Sequence, residues 1–156
     1  MKKVIAIIFS LMLVATFVSC GETEEEPQKE YGIKETATFE DVDYTVTNVK
    51  TSNGGEWDDL KKGHEYVIVS IKIKNNSEET ISYNPYDWQM LNDKGQLDET
   101  SYMSDVDDIG SGDLAPGGKK TGKLIFEEPK TSKTLVLNYY DNSFFDDEAT
   151  LQFNLR

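Results

Sequence analysis

The stretch that decides the fold lies at residues 65–74 and reads EYVIVSIKIK. One of its faces is apolar and consists of Val67, Val69, Ile71 and Ile73, while the other face carries the lysines. β-Branched residues that recur with a period of two are typical of a half-buried strand. Because a one-residue slip of register would bury the lysines, the stretch predicts a central strand with one defined core face.

Short strand patterns continue on both sides of this stretch. Residues 43–49 place Tyr44 and Val46 on one face and Val49 on the other. Further strands are predicted within residues 80–91, 119–126, 133–140 and 149–155. About seven or eight short strands separated by turns predict an all-β domain over residues 35–156, a single antiparallel immunoglobulin-like β-sandwich. A small barrel fits the same pattern.

The first twenty residues have the layout of a secretory signal. Lys2 and Lys3 precede an apolar run at residues 4–18. This run is shorter than the roughly 20 residues that a membrane-spanning helix needs. It ends in the sequence FVSCG at residues 17–21, which resembles the lipobox of bacterial lipoproteins.

The lipobox resemblance implies that residues 1–19 are a lipoprotein signal peptide and that the thiol of Cys20 receives a diacylglyceryl group. The protein would then be anchored to the lipid bilayer on the outer face of the cell membrane. Two or three acyl chains give stable attachment where one chain is marginal. Cys20 is also the only cysteine, so the folded domain has no disulfide and no thiol ligand. An uncleaved apolar anchor and an ordinary secretory signal are the alternatives.

An acidic tether and a strongly negative charge follow the signal segment. Residues 20–34 are polar and contain a proline, so we expect a disordered tether between the lipidated cysteine and the domain. The formal charge is −13, and loss of two lysines with the signal peptide would make it −15. This charge repels phosphates, so nucleic acid is not an expected partner. Cationic ligands, metal ions and basic protein surfaces are compatible with it.

A set of residues in fixed order resembles a known family. The set is KIKNNS at 72–77, YNPYDW at 83–88, DKG at 93–95, LAPGG at 114–118, Gly122, and FEEP at 126–129. It resembles a domain-of-unknown-function family that occurs in lipoproteins and secreted proteins of Bacilli. Some members are labelled telomeric-repeat-binding-factor-like. The resemblance implies an immunoglobulin-like fold, similar to that of a small secreted mycobacterial antigen, and it brings no catalytic residues.

One acidic, glycine-containing loop is the candidate for ion binding. Its carboxylates belong to Asp105, Asp107, Asp108 and Asp113. Oxygen ligands in a flexible loop suit calcium. However, Ile109 stands where an EF-hand loop has an oxygen ligand, and Pro116 stands in place of the bidentate glutamate. A solvated acidic loop is therefore the alternative interpretation.

Aromatic residues in predicted loops are the candidates for recognition. Trp57, Phe144 and Phe145 are such residues, whereas most other aromatics of the second half are assigned to the core. The single histidine, His64, lies at a strand entrance. The sequence contains no nucleophile elbow, phosphate loop or zinc-type histidine pair, so no enzyme activity is predicted.

These features together predict a membrane-anchored extracytoplasmic lipoprotein. Its domain would bind an unknown protein or envelope partner at the cell surface without catalysing a reaction. The alternative is a calcium- or small-ligand-binding lipoprotein that uses the acidic loops, auxiliary to a transporter. Apart from the lipid on Cys20 and the calcium of this alternative, no cofactor is predicted.

Overall fold

The computed structural model describes residues 30–141 and 148–156, which form eleven strands and one 3₁₀ helix. The strands are β1 (Glu30–Gly32), β2 (Thr36–Phe39), β3 (Val42–Ser52), β4 (His64–Asn75), β5 (Ile81–Tyr83), β6 (Trp88–Asn92), β7 (Leu97–Asp98), β8 (Gly112–Leu114), β9 (Lys119–Pro129), β10 (Leu135–Tyr139) and β11 (Leu151–Asn154). The 3₁₀ helix spans Pro85–Asp87.

The strands build two sheets that face each other. One sheet has the order β1-β11-β10-β6-β7 and the other has the order β2-β3-β4-β9, while β5 and β8 form a separate pair. All pairs are antiparallel except β1 with β11. The predicted all-β sandwich is confirmed. It has more strands than expected because β1, β2, β7 and β8 have only two to four residues each, too few to show a clear alternation.

The core lies between the two sheets, and β4 supplies its centre. Strand β4 pairs with β3 on one side and with β9 on the other. Its predicted apolar face is confirmed, since Val67, Val69, Ile71 and Ile73 are all buried. The opposite sheet contributes large side chains, among them Trp88 and Phe153. Full burial of such a side chain contributes about 1.5–3 kcal/mol to stability.

Strand β3 differs from the prediction in one respect. Its register to β4 shifts between Val46 and Asn48, which marks a β-bulge. A bulge adds one residue to a strand and so reverses the facing of the residues that follow it. Val46 is buried and Val49, predicted to lie on the opposite face, also packs against the core.

Residues 99–111, here called the crossing loop, cover the free edge of β9. The backbone N–H of Ser101 donates to the carbonyl of Ile125 at 2.7 Å, and that of Ile109 donates to Lys123 at 2.8 Å. Unpaired strand edges promote aggregation, and a covering loop removes that exposure. The crossing loop also sends Ile109 into the core, where the residue is 2% exposed.

The N-terminal boundary of the domain lies earlier than predicted. Residues 20–34 were assigned to the tether, yet Glu30–Gly32 forms β1 and pairs in parallel with β11. The reason is Tyr31, whose ring lies 5.7 Å from that of Phe153. The predictions for residues 1–29 lie outside the described residues. Within the described residues, no helix is long and apolar enough to cross a membrane.

Candidate functional site

The 3₁₀ helix at Pro85–Asp87 separates two depressions of the surface. Asn84 caps it, because its side-chain oxygen accepts a hydrogen bond from the backbone N–H of Tyr86 at 3.0 Å. Pro85 occupies the first helical position and is buried. The short helix thus directs Tyr86 into one depression and Asp87 into the other.

The first depression, here called the tyrosine cleft, has a volume of about 390 Å³. The lining residues are Pro85, Tyr86, Thr100, Ser101, Tyr102, Ser104, Val106, Asp107, Asp108 and Ile125. Tyr86 is 66% exposed and Tyr102 is 76% exposed, so both rings are largely open to solvent. The cleft therefore combines two accessible aromatic rings with two carboxylates.

A small second core holds the crossing loop in place beneath the cleft. It consists of Tyr66, Met103 and Ile125, with Leu60, Ile68 and Val106 packed against it. Met103 directly follows Tyr102 in the crossing loop. Burial of Met103 and the hydrogen bond from Ser101 fix the backbone on both sides of Tyr102. The exposed ring of Tyr102 is thus presented from an ordered backbone.

The loop that carries Trp57 is tied to the crossing loop by Asp58. One carboxylate oxygen of Asp58 accepts from the backbone N–H of Ser104 at 2.7 Å, and the other accepts from that of Gly55 at 2.7 Å. These hydrogen bonds, with Gly55 the larger cause, lower the pKa of the Asp58 carboxyl. Trp57 is 84% exposed. Trp57 thus directly precedes the residue that ties its loop to Ser104, and Ser104 lines the tyrosine cleft.

The second depression, here called the acidic pocket, has a volume of about 430 Å³. It is lined by Phe39, Glu40, Val42, Tyr44, Ile81, Ser82, Asn84, Asp87, Tyr139 and Asp141. Tyr44 and Tyr139 come from opposite sheets, and the hydroxyl of Tyr44 donates to that of Tyr139 at 3.0 Å. The pocket thus joins three carboxylates to a pair of phenol groups.

Burial and like charge shift the ionisation of the groups in the acidic pocket. Loss of solvent, together with the nearby carboxylate of Asp141, raises the pKa of Asp87 to about 6, against a smaller opposing effect of the Asn84 backbone. Burial also raises the pKa of Tyr44 to about 12 and raises the pKa of Tyr139. The two phenols therefore stay neutral at physiological pH, whereas Asp87 changes charge near pH 6.

The four aspartates of the predicted calcium site have separate contacts. Asp108 accepts from the backbone N–H of Gly110 at 2.9 Å, and Asp113 accepts from the hydroxyl of Ser82 at 2.8 Å. Asp107 lines the tyrosine cleft, and a carboxylate oxygen of Asp105 lies beside Gly55. In residues 30–141 and 148–156, no group of three or more His, Cys, Asp or Glu side chains could hold a metal ion.

Of the other candidate site residues singled out from the sequence, the structure describes only Trp57 and His64. Trp57 lies in an exposed loop, and His64 begins β4, where its Nδ1 lies 3.4 Å from the carbonyl of Lys62. Phe144, Phe145 and Cys20 lie outside the described residues. Their predicted roles in recognition and lipidation stay predictions.

Two residues of the tyrosine cleft were missed by reasoning from composition. Tyr86 and Tyr102 belong to the aromatics that were assigned mostly to the core, and both are exposed. A local signal existed for Tyr86, since Asn84-Pro85 is a helix-start pair that places the next residue on a short turn. Tyr102 had no such signal, because its exposure depends on how the crossing loop packs on β9.

Known structures share this architecture. The Bacillus subtilis protein yjhA superposes with a TM-score of 0.67 at 22% identity, over 81% of this chain and 99% of that one. The secreted protein MPT63 of Mycobacterium tuberculosis superposes with a TM-score of 0.64 at 13% identity, over 83% of this chain and 98% of that one. The expected similarity to a small secreted mycobacterial protein is thereby confirmed at the level of the fold.

A further similar structure belongs to a Bacillus subtilis protein, ycdA, described as a "putative lipoprotein". It superposes with a TM-score of 0.66 at 14% identity over 76% of this chain, and the chain spans 37% of the length of ycdA. A search of the curated proteins found no match. The family model described as "Domain of unknown function (DUF4352)" matches residues 31–150. Since this match covers most of the sequence, the chain belongs to the DUF4352 family.

Proposed function

We propose that this protein is a lipid-anchored binding protein on the outer face of the cell membrane. Its domain holds a basic segment of a partner protein in the tyrosine cleft. The observation that carries the proposal is the pair of exposed rings, Tyr86 and Tyr102, beside Asp107 and Asp108. Rigid aromatic side chains with accessible faces supply contact area at low entropic cost. Such a pair on ordered backbone is suited to recognition.

Charge selects a basic partner over an acidic or neutral one. The chain has a formal charge of −13, and two of its carboxylates line the tyrosine cleft. Arginine and lysine bind carboxylates and also stack on the faces of aromatic rings, at about 0.5–2 kcal/mol for each cation–π contact. A basic segment would satisfy both kinds of group at once.

The membrane anchor rests on Cys20 and its surroundings in the sequence. The apolar run at residues 4–18 ends at Cys20, and no other cysteine competes for this role. Two structural relatives, described as a "putative lipoprotein" and as a secreted protein, support an extracytoplasmic location. Residues 20–29 are acidic and polar and would separate the domain from the bilayer.

Replacement of Cys20 tests the anchor. In Cys20→Ala, we expect complete loss of metabolic labelling with a palmitate analogue, because the acceptor thiol is gone. We also expect accumulation of a precursor that retains residues 1–19. The matched control is Ser19→Ala, which keeps a small residue before the cysteine and should be labelled as wild type. Labelling of Cys20→Ala at the wild-type level would rule out the lipoprotein assignment.

Removal of the two rings tests the tyrosine cleft. The full-length protein in non-ionic detergent micelles is titrated by calorimetry with a blocked peptide of four arginines. We expect Tyr86→Ala and Tyr102→Ala each to weaken binding about tenfold, because each removes one aromatic face. Leu97→Ala, which truncates a half-exposed side chain outside the cleft, should bind as wild type.

A peptide of four glutamates serves as the opposite-charge probe in the same experiment. It should give no heat of binding, since both the cleft and the whole chain are negative. Equal affinity for the two peptides, or unchanged arginine binding in both tyrosine variants, would refute the assignment of the cleft.

A further inference from the structure

The acidic pocket is a second site, independent of the tyrosine cleft. The two depressions lie on either side of the 3₁₀ helix and share no lining residue. We propose that the acidic pocket binds a primary alkylammonium group together with its aliphatic stem. This inference goes beyond the proposed function and uses different residues.

The first support is the arrangement of carboxylates that lack a basic neighbour in the pocket. Asp87 ends the 3₁₀ helix, Asp141 follows β10, and Glu40 lies in the turn between β2 and β3. Glu40 and Asp41 both have positive φ angles, 47° and 60°, which fixes this tight turn. Among the described residues that line the pocket there is no lysine or arginine. A cation that enters would relieve the mutual repulsion of Asp87 and Asp141.

The second support is the buried pair of phenol groups. Tyr44 is 5% exposed and Tyr139 is 8% exposed, yet both line the pocket. The single hydrogen bond between them uses the hydrogen of Tyr44 and one lone pair of Tyr139. The oxygen of Tyr44 therefore accepts no hydrogen bond from the described residues. In this arrangement the lone pairs of Tyr44 can accept from a ligand that carries N–H groups, of which an ammonium group has three, and the hydroxyl hydrogen of Tyr139 can donate to an oxygen or to water.

The apolar part of the lining selects an organic cation over an inorganic one. Phe39, Val42 and Ile81 form this part, and they offer contacts to methylene groups but none to a hydrated ion. The described residues provide no group of three acidic or histidine side chains that could coordinate a metal. A volume of about 430 Å³ also exceeds the space of one ion. An ammonium head at the carboxylates with its stem along the apolar part fits the whole pocket.

Two sources could supply this chemistry, a free aliphatic amine or the side chain of a lysine in a protein. The experiment follows amide resonances of the full-length protein in non-ionic micelles by NMR during two titrations. One probe is 1,5-diaminopentane, and the other is the blocked peptide Gly-Lys-Gly. Tighter binding of the diamine identifies a free amine, and tighter binding of the peptide identifies a lysine side chain. Pentane-1,5-diol is the matched neutral probe.

We expect the better amine to shift resonances of residues 39–44, 81–87 and 139–141, and the diol to shift none of them. Asp87→Asn and Asp141→Asn should each weaken amine binding at least about tenfold, because each removes a charged acceptor. Glu99→Gln removes an exposed carboxylate outside the pocket and should leave it unchanged. Because asparagine has the size of aspartate, both variants should fold. The chemical-shift changes of the wild-type protein test the inference without any variant.

The experiments distinguish failure of the amine-binding proposal from failure of the peptide-binding proposal for the tyrosine cleft. Tyr86→Ala and Tyr102→Ala should retain full amine binding, since neither residue lines the acidic pocket. The inference is overturned if neither amine shifts the pocket resonances at millimolar concentration, if the diol shifts them equally, or if both asparagine variants bind as wild type.

Discussion

Substitution of Gly122 by alanine is expected to destabilise the domain by about 3 kcal/mol. Gly122 lies in β9 opposite Ile71 of β4, at the point where the crossing loop passes over the sheet. A Cβ atom there would lie 2.6 Å from the Cα, Cβ and Cγ1 of Ile109. This is closer than atoms can approach, and the obstacle includes backbone, so no change of rotamer relieves it.

The crossing loop must therefore move away from β9 in Gly122→Ala. The displacement removes the hydrogen bond from Ile109 to Lys123 and withdraws a fully buried isoleucine from the core. At about 4 °C per kcal/mol for a domain of this size, the midpoint of thermal unfolding should fall by about 12 °C. Circular dichroism or calorimetry of the purified protein measures this shift.

Gly32→Ala is the matched control, because a Cβ at Gly32 would meet only the flexible side chain of Glu35, at 3.5 Å. Its melting temperature should stay within about 2 °C of wild type. A double-mutant cycle sharpens the assignment. Ile109→Ala alone should cost about 2–4 kcal/mol, and the double variant should cost less than the sum, because Gly122→Ala has already displaced Ile109. Full additivity would show that the two residues do not act through one contact.

Gly122 also shows what the sequence could and could not predict. A glycine inside a strand pattern signals close approach of another group, and Gly122 was among the residues that suggested the family. The approaching group is Ile109, which the sequence placed in a candidate calcium loop. Nothing in the local pattern at residues 105–113 distinguishes a solvated loop from one that crosses a sheet edge, because the difference lies in contacts with β9.

The same division between local and distant information holds elsewhere. The register of β4 was predictable because alternation is a local property of residues 65–74. The acidic pocket was not, since the hydrogen bond between Tyr44 and Tyr139 joins residues 95 positions apart. Tyr139 was correctly assigned to the core, yet its hydroxyl lines a pocket that only the pairing of two sheets creates. The strand patterns in the sequence were thus sufficient to predict the two-sheet architecture. The two surface depressions depend on long-range packing and could not be predicted from these patterns.

The buried carboxyl of Glu128 is expected to make the stability of the domain depend on pH. Glu128 lies on β9 opposite Glu65 of β4, is 0% exposed, and accepts a hydrogen bond from the side-chain amide of Asn92 at 3.2 Å. Its other carboxylate oxygen is buried and has no hydrogen-bond partner among the described residues. Burial raises the pKa of Glu128 from 4.5 to about 7, the Asn92 hydrogen bond offsets part of the shift, and the charge of Asp98 adds to it.

The sign of the effect follows from the two protonation states. Below about pH 4.5 the carboxyl is protonated in both the folded and the unfolded chain, and stability is unaffected. As pH rises toward 7, the unfolded chain ionises while the folded chain keeps its proton, so the free energy of unfolding falls. Above about pH 7 the loss is complete, and at 1.36 kcal/mol per pKa unit it amounts to about 3 kcal/mol.

Glu128→Gln should abolish this dependence, because the amide keeps the shape and the acceptor oxygen but cannot ionise. The difference in free energy of unfolding between variant and wild type, measured by denaturant titration, should be small at pH 4.5. It should reach about 2–3 kcal/mol in favour of the variant at pH 8. Titrating groups that do not interact with Glu128 contribute equally to both proteins and cancel in this difference.

Glu127→Gln separates burial from simple loss of negative charge. Glu127 is the neighbouring carboxylate on β9, and it lies 3.6 Å from the ammonium of Lys61. Its removal changes the net charge by the same amount but deletes an ion pair, so it should not stabilise the protein at pH 8. If Glu128→Gln and Glu127→Gln behaved alike, net charge would explain the effect. If only Glu128→Gln gains stability between pH 4.5 and 8, the buried, half-partnered carboxyl is its source.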